Sequence, residues 1–186
     1  NYSSAESITK DIEKLEQIYL SDITKVVAVG ECGLDYSVPR DDDTIKNLQG
    51  QLFQAQIDLA KKLKLPLVVH CRDDRSKNPQ NSEAWDEVLE MIDNHPAILH
   101  CYSGLLQTTK KVLKLPNALV SFAANLTYQK NEYLREAVKL LPLEKIVLET
   151  DCPFLPPQSK RGQRNEPANL REVAQQGAVL QQAVLM

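Results

Sequence analysis

Several features that define common protein classes are missing from this 186-residue sequence. No stretch reaches the roughly 18 apolar residues of a membrane span, so neither a transmembrane helix nor a membrane partner is expected. The start, Asn1 to Ser4, lacks the basic and apolar regions of a signal peptide, which indicates a cytoplasmic protein. Positive charge is not in excess: the formal net charge of -3 excludes a polybasic nucleic-acid coat and restricts contact with DNA to a local patch.

Cys-x-x-Cys pairs are also absent. The four cysteines are Cys32, Cys71, Cys101 and Cys152, at separations between 30 and 51 residues, which is not the pattern of a disulfide framework. Each follows a glutamate, histidine or aspartate, and side chains alternate between the faces of a strand. We therefore expect the thiols to point toward covering helices as small buried hydrophobic groups. The alternative, a Cys₄ zinc site, requires all four thiols to converge.

Apolar runs predict an α/β fold with a parallel sheet. Five runs of β-branched and aliphatic residues, at 26–29, 67–69, 97–99, 118–123 and 145–150, alternate with amphipathic helical patterns. Asn81 or Ser82 is expected to cap the helix that precedes the third strand. Regular alternation implies right-handed crossovers within one domain, residues 1–186. A closed (β/α)₈ barrel needs eight strands and about 250 residues, so about three strands are lacking.

Four of the strands lead to residues of types that bind metal ions: Glu31, His70, His100 and Asp151. Because catalytic groups collect at the carboxyl ends of parallel strands, we expect these side chains to converge. Two imidazoles and two carboxylates suit Zn²⁺, Mn²⁺ or another divalent ion. Glu149 lies two positions before Asp151 on the same face, and it is predicted to support the ligands or to act as an alternative base. His95, beside the helix-stopping Pro96, is expected to be structural.

Five motifs occur in order along the chain: Gly30–Tyr36 (GECGLDY), Val69–Asp73 (VHCRD), Leu99–Gly104 (LHCYSG), Leu148–Pro153 (LETDCP) and Arg161–Pro167 (RGQRNEP). Together they resemble the TatD family of metal-dependent deoxyribonucleases, over about residues 5 to 175. The resemblance implies an amidohydrolase-like TIM (β/α)₈ barrel, here a partial barrel with about five of eight strands. It also implies a two-metal site in which Glu31 bridges, His70 and His100 bind one ion, and Asp151 binds the other.

The sequence departs from the family pattern at both ends. Family members begin with a strand bearing His-x-His, which supplies two more ligands to the ion held by Asp151, and this motif is absent here. Residues 175–186 also lack the usual closing helices. We therefore expect a single TatD-type hydrolase domain that is truncated at its amino end and incomplete at its carboxyl end. Such a chain retains all the ligands of one metal ion, but only Glu31 and Asp151 among the ligands of the other.

The expected chemistry is hydrolysis of DNA phosphodiester bonds with two divalent ions per complete site, Mg²⁺, Mn²⁺ or Zn²⁺. A divalent ion lowers the pKa of bound water to about 7, and Asp151, with Glu31, is the expected catalytic carboxylate. The candidate substrate contacts are Arg72, Tyr36, Tyr102, Lys160, Arg161 and Arg164. The basic loop is alternatively a solvated surface, and the tyrosines are alternatively wall packing. Single-stranded DNA ends are the expected substrate, with no obligatory protein partner.

Two other functions stay open at this stage. The same scaffold and ligands suit hydrolysis of another ester or amide bond, such as an aminoacyl-tRNA linkage, because a fold does not determine a substrate. The missing strands and ligands also suit an inactive or purely associating fragment. Parallel assays on DNA and aminoacyl-tRNA separate the first two hypotheses, and metal stoichiometry identifies the third.

Overall fold

The computed structural model describes residues 5–37 and 43–182. Residues 1–4 and 183–186, which entered the predictions about the two chain ends, lie outside the described residues. The described elements are α1 Ala5–Ser21, β1 Val29–Asp35, α2 Asp43–Leu63, β2 Leu67–Arg72, α3 Glu83–Ile92, β3 Ala97–Leu99, α4 Leu106–Val112, β4 Ala118–Phe122, α5 Glu132–Leu140, β5 Ile146–Leu148 and α6 Leu170–Gln182. None of the described helices is both long and apolar enough to span a membrane.

The strands are neighbours in chain order, β1-β2-β3-β4-β5. Residues of β1 pair in parallel with β2, from Val29 opposite Leu67 to Asp35 opposite Arg72. In the same way β4 pairs in parallel with β5, and Phe122 lies opposite Leu148. The α/β fold class predicted from the sequence, with parallel strands that alternate with helices, is therefore confirmed.

The predicted position of the first strand is wrong. The apolar run at 26–29 was expected to form it, but β1 begins at Val29 and continues to Asp35. Val27 is 74% exposed, whereas Leu34 is fully buried. Backbone pairing with β2 decides the position, since Val29 pairs with Leu67 and, after an irregularity, Cys32 to Asp35 pair with Val69 to Arg72. Glu31 consequently lies inside the strand rather than after it.

The chain divides into two compact units, Asn1–Ile98 and Leu99–Met186. In the first unit, α2 and α3 supply the largest buried side chains against β1 and β2, among them Phe53, Ile57 and Trp85. In the second unit, Phe122 of β4 and Leu134 of α5 are fully buried. Each core is thus the apolar face of helices that follow the strands, as expected for a parallel sheet.

The amino end of α3 is capped from a distance. Ser82 occupies the cap position but makes no side-chain capping bond, and the side-chain oxygen of Asn81 accepts from the Glu83 amide, at 3.2 Å. The buried Asp73, which follows β2, accepts hydrogen bonds from the backbone amides of Ala84 at 2.9 Å and Trp85 at 3.4 Å. Burial raises the pKa of Asp73, although the Arg75 guanidinium and the two amides oppose this effect. One carboxylate thereby ties the end of a strand to the start of a helix.

All four cysteines are free thiols, and their environments differ. Cys32 and Cys71 are buried, as predicted, and the Cys32 thiol lies 3.5 Å from the Val68 carbonyl oxygen. Cys101 is half-buried and Cys152 is exposed. The prediction of burial is wrong for Cys152 because β5 ends at Leu148, so strand alternation no longer governs the residues beyond it.

Replacement of Asp73 by alanine is expected to lower the free energy of unfolding by about 1 to 2 kcal/mol, because two amides at the start of α3 lose their acceptor. Urea titration followed by circular dichroism measures the change. Asp74→Ala is the matched control, since the neighbouring carboxylate is half-buried and accepts hydrogen bonds from Ser76, from its backbone amide at 2.8 Å and from its side chain. Equal destabilisation by both substitutions would contradict the capping role.

Native thiol labelling is expected to separate the cysteines. Burial, with a smaller contribution from the Glu31 carboxylate, raises the pKa of Cys32 to about 12, and burial also raises the pKa of Cys71 strongly. Near pH 8 almost no thiolate forms at either residue, so Cys152 should react with iodoacetamide first. Mass mapping of the labelled peptides measures the order, with urea-unfolded protein as the control in which all four react. Rapid labelling of native Cys32 or Cys71 would refute it.

Candidate active site

The four predicted metal ligands lie in two pairs, one in each unit. Glu31 and His70 belong to β1 and β2, so both strands continue past them rather than stopping there. His100 follows β3 directly, and Asp151 follows β5 after two further residues. In the described parts of the chain, 5–37 and 43–182, no group of three or more His, Cys, Asp or Glu side chains is arranged to hold a metal ion. The predicted four-ligand centre and the Cys₄ alternative therefore both stay predictions.

In the second unit, His100 lies between two carboxylates. Its Nδ1 is 2.7 Å from Glu149 Oε2, and its Nε2 is 3.6 Å from Asp151 Oδ1. The Ser121 hydroxyl donates to the same Glu149 oxygen at 2.7 Å. Glu149 can accept the ring hydrogen at Nδ1, and the lone pair then lies on Nε2, directed away from Glu149. The supporting role of Glu149 toward a metal ligand stays a prediction, and this contact is compatible with it.

The donor atoms of His100 and Asp151 are of types that bind divalent cations. The separation of 3.6 Å between His100 Nε2 and Asp151 Oδ1 is longer than a hydrogen bond and close to the distance of about 3.3 Å between two ligands of a tetrahedral ion. The second oxygen of Glu149, Oε1, is buried and has no hydrogen-bond partner among the described residues. A buried acceptor without a donor is costly, and a nearby cation would offset that cost.

In the first unit, His70 is paired with Asp35. Its Nε2 lies 3.0 Å from Asp35 Oδ2, and the other oxygen, Oδ1, accepts from the Ser37 amide at 2.9 Å and the Ser37 hydroxyl at 2.6 Å. Partial burial raises the pKa of Asp35, but the hydrogen bonds from His70 and Ser37 outweigh it and lower the pKa to about 2. The Asp35 carboxylate is thus ionised across the physiological pH range.

Gly33 makes the approach of β1 to β2 possible. It pairs with His70 in the sheet and has a φ of 139°, which side-chain-bearing residues rarely adopt. A Cβ atom placed at Gly33 would overlap the carbonyl oxygen of His70. Only glycine therefore allows the strand that carries Glu31 and Asp35 to lie against His70.

Two residues next to or at predicted ligands have left-handed backbone conformations. Cys101, after His100, has a φ of 44°, and Asp151 has a φ of 55°. Such angles cost roughly 1 to 3 kcal/mol in a residue other than glycine and persist where surrounding contacts enforce them. At Asp151 the enforcing residue is Asn165, which is 2% exposed and donates to the carbonyl oxygens of Thr150 and Phe154, both at 2.7 Å. The backbone is strained where the predicted chemistry occurs.

The predicted substrate contacts differ in accessibility. Arg72 is exposed, and Arg164 lines an open depression of about 520 Å³ together with Cys152, Pro153 and Glu166. The Arg161 guanidinium stacks on the ring of Tyr128, with its carbon 4.4 Å from the ring centroid. Of the three arginines, Arg164 is the one that lines this depression, together with Cys152, the residue that follows Asp151 in the sequence.

The two tyrosines predicted to stack on bases are part of the core, and this is a correction. Tyr102 is fully buried: its hydroxyl lies 3.0 Å from Thr109 Oγ1, and its ring packs edge to face on Phe122. Tyr36 is 6% exposed and donates to Glu87 at 2.6 Å. A ring without accessible surface cannot stack on a base. The wall-packing alternative is the correct one.

Sequence reasoning overlooked Asp35 and Asn165 as site residues. Both lie inside the recognised motifs, GECGLDY and RGQRNEP. Strand alternation contains a signal for Asp35, because residues 31, 33 and 35 share a face. For Asn165 no local pattern indicates its role, since its partners are the Thr150 and Phe154 carbonyl groups of a loop more than ten residues earlier.

Comparison with known proteins places the chain in one family. The model of the family described as TatD related DNase matches residues 2–184. YabD of Bacillus subtilis strain 168, named an uncharacterized metal-dependent hydrolase, is 36% identical over 168 residues, which cover 88% of this chain and 60% of YabD. The 3'-5' ssDNA/RNA exonuclease TatD of Citrobacter rodentium is 32% identical, over 85% of this chain and 59% of that protein. The human 3'-5' RNA nuclease TATDN2 is 36% identical, over 84% of this chain and 19% of its own.

A solved structure agrees with the sequence comparisons. The crystal structure of YJJV, a TatD homologue from Escherichia coli K12, superposes with a TM-score of 0.74 at 28% sequence identity. The match covers 94% of this chain and 66% of that chain. The chain thus spans about 60% of the length of the bacterial relatives that it matches. Because the family model extends over nearly every residue and the fold agrees, this chain belongs to the TatD-related DNase family.

Proposed function

We propose that this protein is a metal-dependent hydrolase that removes nucleotides from the ends of single-stranded nucleic acids, with DNA as its principal substrate. The observation that carries the proposal is the arrangement of His100, with Glu149 on one ring nitrogen and Asp151 at 3.6 Å from the other. The names of the relatives support it, since they include a metal-dependent hydrolase and a 3'-5' ssDNA/RNA exonuclease.

The residues of this chain divide the work of hydrolysis. A bound divalent ion supplies a water of lowered pKa and stabilises negative charge on a phosphoryl oxygen. His100 would hold such an ion through Nε2, while Glu149 fixes the ring by accepting the hydrogen of Nδ1. Asp151 would contribute one carboxylate oxygen to the ion and accept the proton of the attacking water. Glu31 and His70 are the proposed ligands from the first unit, and two ions, Mg²⁺, Mn²⁺ or Zn²⁺, are proposed for the complete site.

Arg164 is the proposed phosphate contact. It borders the depression formed by Cys152 and Pro153, which directly follow Asp151. A guanidinium there offers paired N–H donors for phosphate oxygens close to the proposed catalytic carboxylate. Arg161 is a second proposed phosphate contact on the same loop. Its guanidinium is held in place by stacking on the ring of Tyr128.

Loss of the ion ligand should abolish activity. We expect His100→Ala to reduce Mn²⁺-dependent digestion of a 5'-labelled single-stranded oligonucleotide by more than about 100-fold. Loss of a residue that only hydrogen-bonds to a metal ligand typically lowers activity 10- to 100-fold, and loss of the ligand itself should cost more. His95→Ala is the matched control, since the His95 ring is hydrogen-bonded to the Leu65 carbonyl oxygen, at 2.8 Å, rather than to a carboxylate. Parallel assays on DNA, RNA and aminoacyl-tRNA rank the substrates. Full activity in His100→Ala, or hydrolysis of the aminoacyl ester alone, would overturn the proposal.

Substrate binding should depend on Arg164. We expect Arg164→Ala to raise KM for the oligonucleotide about tenfold or more and to change kcat little, because a phosphate loses a charged donor in the ground state and the transition state alike. Arg171→Ala removes an exposed arginine of α6 and serves as the control. An unchanged KM in Arg164→Ala would show that the depression is not part of the substrate path.

A further inference from the structure

We propose that Asp35 is a positioning residue for His70: its carboxylate holds the ring hydrogen on Nε2 and so leaves the Nδ1 lone pair available to a metal ion. The metal-binding consequence rests on the proposed function, whereas the choice of ring nitrogen is a property of the protein alone. Asp35 thus gains a role in preparing the site without touching the substrate.

The contacts of His70 define which nitrogen is occupied. Nε2 lies 3.0 Å from Asp35 Oδ2, and Nδ1 has no hydrogen-bond partner among the described residues. An ionised carboxylate accepts hydrogen bonds only, so the shared hydrogen comes from the ring. The remaining ring nitrogen then carries a lone pair, which is the form in which imidazole binds metal ions.

Asp35 is itself fixed from two directions. The Ser37 amide and hydroxyl donate to Oδ1, so Oδ2 is directed at His70 and the two oxygens have separate tasks. The Gln49 side chain of α2 pairs with the backbone of Asp35, accepting from its amide at 2.7 Å and donating to its carbonyl oxygen at 3.0 Å. Because the backbone of Asp35 and one of its carboxylate oxygens are both held by hydrogen bonds, the other oxygen can fix the orientation of the His70 ring.

The second unit repeats this chemistry on the opposite nitrogen. Glu149 contacts Nδ1 of His100, whereas Asp35 contacts Nε2 of His70. Each of the two histidines predicted to bind metal therefore has one ring nitrogen within hydrogen-bond distance of a carboxylate. His95, the histidine predicted to be structural, contacts the Leu65 carbonyl oxygen instead.

Stability alone does not account for the Asp35–His70 contact. The side chains are 29% and 40% exposed, and ion pairs or hydrogen bonds at such positions contribute little to the free energy of folding. The turn formed by Asp35 and Ser37 also exists without a histidine: Asp22 Oδ1 accepts from the Thr24 amide at 3.1 Å and from the Thr24 hydroxyl at 2.6 Å. Asp22 is thus a matched control for the local turn.

The deciding experiment reads the ring tautomer in the metal-free 186-residue protein. Long-range ¹H–¹⁵N correlation spectra at about pH 9, where imidazole is neutral, assign the hydrogen of each ring to Nδ1 or Nε2. We expect Nε2–H at His70 in the unmodified protein and in Asp22→Ala, and loss of that preference in Asp35→Ala. Asp35→Asn should move the hydrogen to Nδ1, because Ser37 retains the amide oxygen and the amide NH₂ then donates to Nε2.

Titration with Co²⁺, followed by its visible absorbance, tests the consequence for metal binding. Asp35→Asn should weaken binding roughly 10- to 100-fold, while Asp22→Ala leaves it unchanged. An Nδ1–H ring in the unmodified protein, or a tautomer that Asp35→Asn does not change, overturns the inference. Absence of Co²⁺ binding and of nuclease activity in the unmodified protein would refute the proposed function instead, while the tautomer spectra still decide the role of Asp35.

Discussion

An imidazole can bind a cation only through a ring nitrogen that carries no hydrogen, and a carboxylate on the other nitrogen meets that condition. In this protein Glu149 takes Nδ1 of His100 and Asp35 contacts Nε2 of His70. The proposed chemistry depends on these two hydrogen bonds, because they determine which nitrogen is offered and in which direction. The parallel strands contribute the spacing that brings each acid to its histidine.

The surrounding structure maintains conformations that the local sequence does not favour. Asp151 adopts a left-handed backbone, and the buried side chain of Asn165 binds the loop on both sides of it. Gly33 allows β1 to lie closer to the His70 backbone than any other residue would permit. Asp73 connects the end of β2 to the start of α3. At Asp151, polar contacts from a distant part of the chain thus compensate for local strain at a predicted ligand.

Strand alternation and motif spacing predicted the fold class, the helices and the candidate ligands, but they failed where a contact depends on distant partners. The first strand was expected at 26–29 and begins at Val29 because pairing with β2 extends it to Asp35. Tyr102 follows a predicted ligand closely, yet its ring is buried on Phe122. Proximity in sequence to a ligand does not reveal on which side of the backbone a ring packs.

The sequence by itself determined the alternation of strands and helices and the parallel sheet, because these follow from periodicity and residue chemistry. Only the tertiary structure decided which acid meets which histidine, that Cys152 is exposed while Cys32 is buried, and that Arg164 borders a cavity. The physical reason is that side-chain pairing depends on distances between segments tens of residues apart, which no local pattern encodes.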